Sequence, residues 1–236
     1  YGGTSMKIAV LSDIHANFPA LLAVLEDCKK QNIERFWLLG DYVDYGVSAR
    51  ETVALLEQLE PEHVIAGNHD ACLYLSSVRS SQTPHGKQSF SFTKDLIEKE
   101  PEAFLWLKKI VENPVIHLKH EKIMLVHGTI SDPYWGKLLP EQNVEEVFSD
   151  MERADVRLLL AGHSHRSFLI ARNGRRIVNP GSVGQPRDGF PEASYAILDG
   201  ESIVFRRVGY DVDQAAQTIR QAGLPEYLWQ RLYQGI

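Results

Sequence analysis

Acidic, amide and imidazole side chains recur in five short blocks of the chain, four of which contain glycine. The blocks are Asp13-x-His15, Gly40-Asp41-x-x-Asp44, Gly67-Asn68-His69-Asp70, His127-Gly128 and Gly162-His163-x-His165. Glycine lets the backbone turn sharply and approach an ion, while Asp, Asn and neutral His supply donors that borderline divalent metals prefer. The set has no thiolate and has more nitrogen than magnesium or calcium sites tolerate. It therefore predicts a site for Mn, Fe, Zn or Co.

The first three blocks each follow a short apolar run that reads as a β-strand, at residues 6–11, 35–39 and 63–66. Helices are predicted between these strands. Asn17 and Pro19 open one helix, and Ser48 with Glu51 forms the pattern of a capping box for the next. Because open α/β sheets carry their sites at the carboxyl ends of the strands, we expect the polar blocks to meet at one edge.

From residue 71 to 113 the regular alternation stops, and we predict an inserted loop and helical hairpin. A lid and a plain surface excursion are equally compatible with this composition. Strands are predicted again at 122–126 and 156–161, followed by two hairpins that turn at Asn173-Gly174 and Asp199-Gly200. Two amphipathic helices at 212–222 and 226–233 complete the pattern. We predict a single domain over residues 6–236, and residues 1–5, which precede a Met-Lys start, as a remnant of cloning.

Composition excludes several classes of protein. The formal net charge of -6 provides no long-range attraction to nucleic acid, so phosphate recognition is expected only at a local site. Cys28 and Cys72 are too few for a disulfide framework. No apolar run approaches the length of a membrane span. The sequence therefore predicts a cytoplasmic protein without membrane partners, and it leaves the oligomeric state open.

Taken in order, the five blocks resemble those of the calcineurin-like metallophosphoesterase superfamily. The later segments Asn179-Pro180-Gly181-Ser182-Val183 and Gln185-Pro186-Arg187 resemble its small bacterial phosphodiesterase branch. The resemblance implies an α/β fold: a four-layer sandwich of two mixed β-sheets flanked by helices, with the metal site at the C-terminal ends of strands. It also implies hydrolysis of a phosphate ester.

The resemblance further implies a pair of metal ions bridged by Asp41. The residues implied for one ion are Asp13, His15 and His165. Those implied for the other ion are Asn68, His127 and His163. The two ions would share a hydroxide that attacks phosphorus, as two-metal sites do.

Three more residues of the blocks receive roles from the resemblance. His69 would protonate the departing alkoxide, and Asp70 would fix the tautomer of His69. Asp44 is expected to be the partner of a ligand histidine rather than a ligand.

The substrate is less constrained than the chemistry. Protein phosphatases of the superfamily carry Arg after the second aspartate of the Asp-x-x-Asp block, where this chain has Tyr45, which argues against a phosphoprotein substrate. Arg187 or Arg79 could supply a cation instead, or remain a solvated charge. Tyr134 and Trp135 could form an aromatic wall of the substrate pocket, or belong to a packed loop.

Several functions remain open at this stage. The candidate substrates are a nucleotide diester, a dinucleoside polyphosphate and a small phosphomonoester. The alternatives to an esterase of small molecules are a binding or scaffold module on the same fold and a nuclease. The intact ligand set weighs against the scaffold, and the negative net charge weighs against the nuclease.

Overall fold

A computed structural model describes residues 7–81, 83–142 and 144–236. The predicted cloning remnant, residues 1–5, and residue 6, where the first strand was predicted to begin, lie outside these ranges. Within these ranges the chain forms ten strands in two sheets. The strands are β1 Ile8–Leu11, β2 Arg35–Leu38, β3 His63–Val64, β4 Val115–Leu118, β5 Ile123–Val126, β6 Leu158–Ala161, β7 Ser167–Arg172, β8 Arg175–Pro180, β9 Ala193–Asp199 and β10 Ser202–Val208.

Both sheets are mixed. In the first sheet the order is β10-β9-β1-β2-β3, with β1, β2 and β3 parallel and β9 antiparallel to β1. In the second sheet the order is β4-β5-β6-β8-β7, with β5, β6 and β8 parallel and an antiparallel strand at each edge. The β7–β8 and β9–β10 pairs are the two hairpins that the turn dipeptides predict.

The described residues also form eight α-helices, and a 3₁₀ turn at Pro101–Phe104 directly precedes the fifth of them. They are α1 Phe18–Lys30, α2 Ala49–Gln58, α3 Asn68–Ala71, α4 Pro84–Lys99, α5 Leu105–Ile110, α6 Val144–Arg153, α7 Val212–Gln221 and α8 Glu226–Gln234. No helix in the described part of the chain has the length and apolar character that crossing a bilayer requires.

The strands alternate their side chains between two apolar layers. Ala9 and Leu11 face α1, α2 and α5, whereas Val10 faces Leu160 of the second sheet in a separate cluster between the sheets. The outer face of the second sheet packs on α6. This arrangement of helix, sheet, sheet and helix confirms the predicted four-layer α/β sandwich.

Of three local predictions, the cap of α1 is confirmed, whereas the capping box of α2 and the length of the third strand are wrong. Asn17 does cap α1, since its side chain accepts a hydrogen bond from the Ala20 amide at 3.2 Å. Ser48 occupies the N-cap of α2, but its side chain makes no capping bond, so the predicted capping box is wrong. The third strand is two residues long rather than four, since it ends at Val64 and Ile65 and Ala66 lie between it and the glycine block.

The predicted insert at 71–113 contains α4, the 3₁₀ turn and α5. Phe104 and Leu107 are buried in the core that covers the outer face of the first sheet. Ser89 and Thr93 of α4 are buried as well, and Ser89 contacts Asp44 of the second block. The second half of the insert is therefore packed against the sheet, and α4 lies over the edge where the blocks meet.

Candidate metal centre

The carboxyl ends of five parallel strands bring the polar blocks together. Asp13 and His15 follow β1, and Asp41 follows β2. The remaining predicted ligands follow β3, β5 and β6, and they are Asn68, His127, His163 and His165. A single edge of the sandwich thus collects all seven predicted metal ligands from both sheets, as the strand pattern predicts.

The backbone of these loops is unusual. Asp13, His15, Asp41, His163 and His165 all have positive φ, between 49° and 64°. Non-glycine residues adopt this left-handed region at a cost, and such residues cluster at functional sites. These left-handed residues therefore indicate that the loops are shaped to position the side chains of the predicted ligands.

Gly67 shows how closely the loops approach each other. A Cβ atom at this position would stand 2.1 Å from Oδ1 of Asp41 and 2.5 Å from its backbone nitrogen. Any side chain at position 67 would therefore displace Asp41 from the site. The glycine of this block has a steric reason to be there.

One group of donors comprises Asp13, His15, Asp41 and His165. Nε2 of His15 lies 3.2 Å from Nε2 of His165, and Nε2 of His165 lies 3.2 Å from Oδ1 of Asp13. Oδ1 of Asp13 is buried and has no hydrogen-bond partner among the described residues. Three or more lone pairs thus converge on one point that a cation would fill.

The second group comprises Asp41, His127 and His163. Oδ2 of Asp41 lies 3.1 Å from Nε2 of His127 and 3.7 Å from Nε2 of His15. One carboxylate oxygen therefore faces both groups. Asn68 is buried beside them, and neither its amide oxygen nor its nitrogen has a hydrogen-bond partner within the described ranges.

Backbone carbonyls set the tautomers of three histidines. Nδ1 of His15 donates to the Val43 carbonyl at 3.1 Å. Nδ1 of His127 donates to the Leu39 carbonyl at 2.7 Å, and Nδ1 of His165 donates to the Gln185 carbonyl at 2.6 Å. Because a carbonyl only accepts, the proton of each neutral ring must be on Nδ1. In the neutral form of each of these three rings, Nε2 then presents a lone pair.

The surroundings of three histidines, His15, His165 and His163, favour the neutral form of the ring. Burial, followed by the neighbouring imidazole of His165, holds the pKa of His15 well below its usual value. Burial and then Arg187 do the same to the pKa of His165. Burial and then His127 lower the pKa of His163 to about 3. These rings are neutral at pH 7, which is the form that binds a metal.

His127 differs because it faces the carboxylate of Asp41. Burial opposes protonation, but the charge of Asp41 and the contact with it raise the pKa of His127 to about 9. A proton and a cation would compete for the same Nε2 lone pair. Binding of a metal at this position would therefore release a proton.

The residues present fit a pair of divalent cations. Buried oxygen and nitrogen atoms without hydrogen bonds are costly unless something outside the chain satisfies them. The unpartnered atoms at this edge are Oδ1 of Asp13, Oδ2 of Asp41, Nε2 of His127 and both polar atoms of the Asn68 side chain. Asp13, Asp41 and His127 belong to the two donor groups that share Asp41, and Asn68 follows β3 at the same edge.

The structure corrects the partner expected for His69. Nδ1 of His69 donates to Oδ2 of Asp44 at 2.7 Å. Asp70 instead accepts backbone N–H groups of Asp41, Tyr42 and Gly67, at 2.7 to 2.9 Å. Asp44 was expected to support a ligand histidine and Asp70 to orient His69. In the structure Asp44 orients His69 instead, and Asp70 holds the loops after β2 and β3 together through their backbone N–H groups.

The environment of His69 favours its charged form. Burial opposes protonation, but Tyr45, Asp41 and Asp44 together hold the pKa of His69 well above its ordinary value. For Asp70, burial and then Asp41 raise the pKa to about 7. The two neighbouring residues thus face different surroundings, since successive side chains of α3 point in different directions.

Ser89 is a residue of the site that the sequence does not single out. Its hydroxyl donates to Oδ1 of Asp44 and accepts the Tyr45 amide hydrogen at 2.7 Å. Ser89 belongs to α4, which connects the insert to the Asp44–His69 pair. Serine in a polar segment carries no distinguishing signal, so only the fold reveals this contact.

The predicted substrate residues separate into two sets. Trp135 lies near the centre, with its ring 5.7 Å from that of His163 and 6.5 Å from that of His69. Together with Arg79 it borders an open cleft of about 560 Å³. The hydroxyl of Tyr134 donates to the Val111 carbonyl at 3.0 Å, which anchors the loop instead.

Comparison with known proteins defines the class. Residues 6–202 match the calcineurin-like phosphoesterase superfamily domain. The chain therefore belongs to this superfamily, as the order of its five blocks indicates.

Individual relatives extend the match over almost the whole chain. The crystal structure of a metallophosphoesterase from Sphaerobacter thermophilus is 32% identical, covers 98% of this chain and 99% of its own, and has a TM-score of 0.81. The uncharacterized protein MJ0912 of Methanocaldococcus jannaschii is 36% identical over 247 residues, 97% of this chain and 98% of that protein. Phosphodiesterase YfcE of Escherichia coli is 26% identical over 196 residues, 83% of this chain and 89% of its own.

Proposed function

We propose that this protein is a binuclear metal-dependent phosphoesterase that hydrolyses a phosphodiester or a small phosphomonoester. The observation that carries the proposal is the convergence of buried, unpartnered donor atoms on two points that share Oδ2 of Asp41. Asp13, His15 and His165 would hold one ion. Asn68, His127 and His163 would hold the other.

The chain's own residues divide the remaining work. Two divalent ions, when bound, supply positive charge beside the phosphoryl group and activate water as the nucleophile. His69 is placed to protonate the departing oxygen, because Asp44 holds its Nδ1 and leaves Nε2 directed away from that carboxylate. Asp44 keeps the ring in orientation, and Ser89 keeps Asp44 in place.

Three features favour a diester with an aromatic or nucleotide component. Tyr45 stands where a phosphate-clamping arginine would follow the block aspartate, which disfavours a phosphoprotein substrate. Trp135 lies beside His69 and His163, where a base or aryl group could stack on it. The E. coli relative is named as a phosphodiesterase.

Hydrolysis of matched aryl esters tests the proposal. Chelator-stripped protein is assayed on bis(4-nitrophenyl) phosphate and on 4-nitrophenyl phosphate before and after addition of Mn²⁺, with bound metal counted by elemental analysis. We expect turnover only after the metal is added, two ions per chain, and faster hydrolysis of the diester. Faster hydrolysis of the monoester would reassign the substrate class.

The two alternative functions make different forecasts. Two bound ions without turnover of either ester would favour the scaffold. Cleavage of single-stranded DNA or RNA in preference to the aryl diester would favour the nuclease, against the net charge of -6.

A further inference from the structure

The C-terminal helix α8 delivers an arginine to the edge of the metal centre. Arg231 is only 5% exposed, and its Cζ atom lies 5.9 Å from the ring centroid of Tyr45 and 4.9 Å from that of Tyr227. The ring of Tyr45 in turn lies 4.7 Å from the rings of His15 and His69. One aromatic side chain therefore separates this cation from the residues of the site.

Arg187 approaches the same place from the loop after β8. Its amide donates to the His165 carbonyl at 3.1 Å, and its Nη2 donates to Oε1 of Gln185 at 2.9 Å. Its Nε is buried and has no hydrogen-bond partner in the described part of the chain. The guanidinium thus keeps an unused donor beside a predicted metal ligand.

The two arginines are held together by the backbone. The Gly189 amide donates to the Gly235 carbonyl at 2.9 Å, which joins the Arg187 loop to the end of α8. Gly235 has φ of 64°, and a Cβ atom there would stand 2.4 Å from the Phe190 carbonyl oxygen. This close approach fixes Arg231 relative to Arg187.

The positive charge at this place is only partly balanced by the protein. Nε of Arg231 donates to the Ile236 oxygen at 2.6 Å. Among the described residues, no Asp or Glu side chain is paired with Arg187 or Arg231, and the nearby acid Asp188 is paired with Arg207. Burial and then the charge of Arg187 lower the pKa of Arg231 to about 10. His85 of α4 stacks on Tyr227 with a centroid distance of 4.5 Å, so the insert also borders the cluster. A buried and a half-buried guanidinium group, neither paired with an acidic side chain, leave positive charge that an anion from outside the chain would stabilise.

We propose that Arg187 and Arg231 form an anion subsite beside the metal centre that binds a second phosphate group of the substrate. Guanidinium groups match phosphate oxygens through paired N–H donors, and the Nη groups of Arg231 carry such donors in addition to the Nε that bonds to the Ile236 oxygen. The inference rests on the proposed function, since the first phosphate is the one hydrolysed at the metal centre. It narrows the substrate to esters that carry two linked phosphates, such as an ester of a nucleoside diphosphate.

Two matched substrates test the subsite: the 4-nitrophenyl esters of thymidine 5′-monophosphate and of thymidine 5′-diphosphate, which differ by one phosphate. Each variant, Arg187→Gln and Arg231→Gln, is expected to raise KM for the diphosphate ester about tenfold or more. KM for the monophosphate ester should stay within about twofold of wild type. Arg220→Gln is the control, because Arg220 is an exposed α7 arginine that stacks on Trp229.

Binding of inorganic phosphate to chelator-stripped protein, measured by calorimetry, tests the subsite without catalysis. Wild type and Arg220→Gln should bind phosphate, whereas Arg187→Gln and Arg231→Gln should bind at least tenfold more weakly. Arg231→Lys, which keeps the charge and most of the stem, guards against misfolding and should bind at intermediate strength.

The two arms separate the possible failures. Phosphate binding without turnover of any ester would overturn the proposed function and leave the subsite standing. Equal loss on both esters, or no loss on either, would overturn the subsite, as would the absence of phosphate binding by the stripped wild type.

Discussion

Replacing Asp41 by asparagine should remove the link between the two ions. The amide keeps an oxygen that can accept the His69 backbone hydrogen, which Oδ1 of Asp41 accepts at 2.8 Å. It removes the negative charge whose Oδ2 faces His127 at 3.1 Å and His15 at 3.7 Å. The variant therefore tests charge at the shared position with little change of shape.

The expected change in Tm follows from the linkage between metal binding and folding stability. A ligand at 100 times its Kd stabilises the folded state by about 2.7 kcal/mol, and a domain of this size gains roughly 2–4 °C in Tm per kcal/mol. Each ion should thus raise Tm by about 5–10 °C. We expect wild type to gain two such increments on addition of Mn²⁺ and Asp41→Asn to gain one at most.

Thermal unfolding with and without Mn²⁺, together with metal analysis, measures this difference. Asp150→Asn is the matched control, because Asp150 is a buried carboxylate of α6 outside the site. Turnover of the aryl diester should fall by about 10³-fold or more in Asp41→Asn, since two-metal stabilisation is worth several kcal/mol and each 1.36 kcal/mol is tenfold. Two ions per chain and a full Tm gain in Asp41→Asn would refute the shared role.

Three further variants examine the supporting contacts. His69→Asn should retain two ions yet lower kcat by about 10²–10⁴-fold, as loss of a general acid does, and equal loss of metal would contradict this role. Ser89→Ala should keep the metal content but lower kcat by about tenfold, because Asp44 loses the hydroxyl that holds it; unchanged kinetics would remove Ser89 from the site. Asp27→Asn should lower the free energy of unfolding at pH 7 by about 1 kcal/mol, since the hydrogen bond from Arg206 lowers the pKa of Asp27. That contribution is present above the unfolded pKa of about 3.9 and is lost as the pH falls through the folded value, so urea unfolding should show the gap between wild type and variant closing below about pH 4. A gap that persisted at acid pH would assign the loss to packing.

Much of the fold and the ligand set could be predicted because strand ends are readable from sequence. Asp13 and Asp41 each follow an apolar, β-branched or aromatic run, and parallel strands place such ends side by side. The turn at Asn173-Gly174 was predicted correctly because both residues adopt the positive φ of tight hairpins. The second hairpin was also predicted, but it turns at Gly200-Glu201, one residue later than expected, because Asp199 still pairs with Ser202. These features depend on local backbone chemistry, which a sequence displays directly.

The direction of individual side chains could not be predicted in the same way. Asp70 is adjacent to His69 in sequence, which suggested that the two interact, but neighbouring residues in a helical turn do not face each other. Asp44 reaches His69 because the loop after β2 turns back across the sheet edge, where Asp44 and Tyr45 both have positive φ. That geometry depends on contacts with Ser89 in a distant segment.

The position of Arg231 is a second feature that could not be predicted from the sequence. It lies in an amphipathic helix whose apolar positions explain its packing, and nothing in that pattern separates one arginine from another. Arg220 and Arg231 each stack on an aromatic ring, yet only Arg231 is buried and directed toward Tyr45. The difference arises from tertiary docking, in which the Gly189–Gly235 contact sets the position of α8.

Hydrogen bonds within the chain support the strained loops that carry the predicted metal ligands. A left-handed conformation costs roughly 1–2 kcal/mol per non-glycine residue. The loops support one another, since the Asp13 amide donates to the Gly40 carbonyl and the His15 amide to the Asp41 carbonyl, both at 3.0 Å. The His163 amide donates to Oδ2 of Asp13, which leaves Oδ1 facing the cluster. Because these bonds are made within the chain, the cost of strain is met by folding, as preorganisation of a binding site requires.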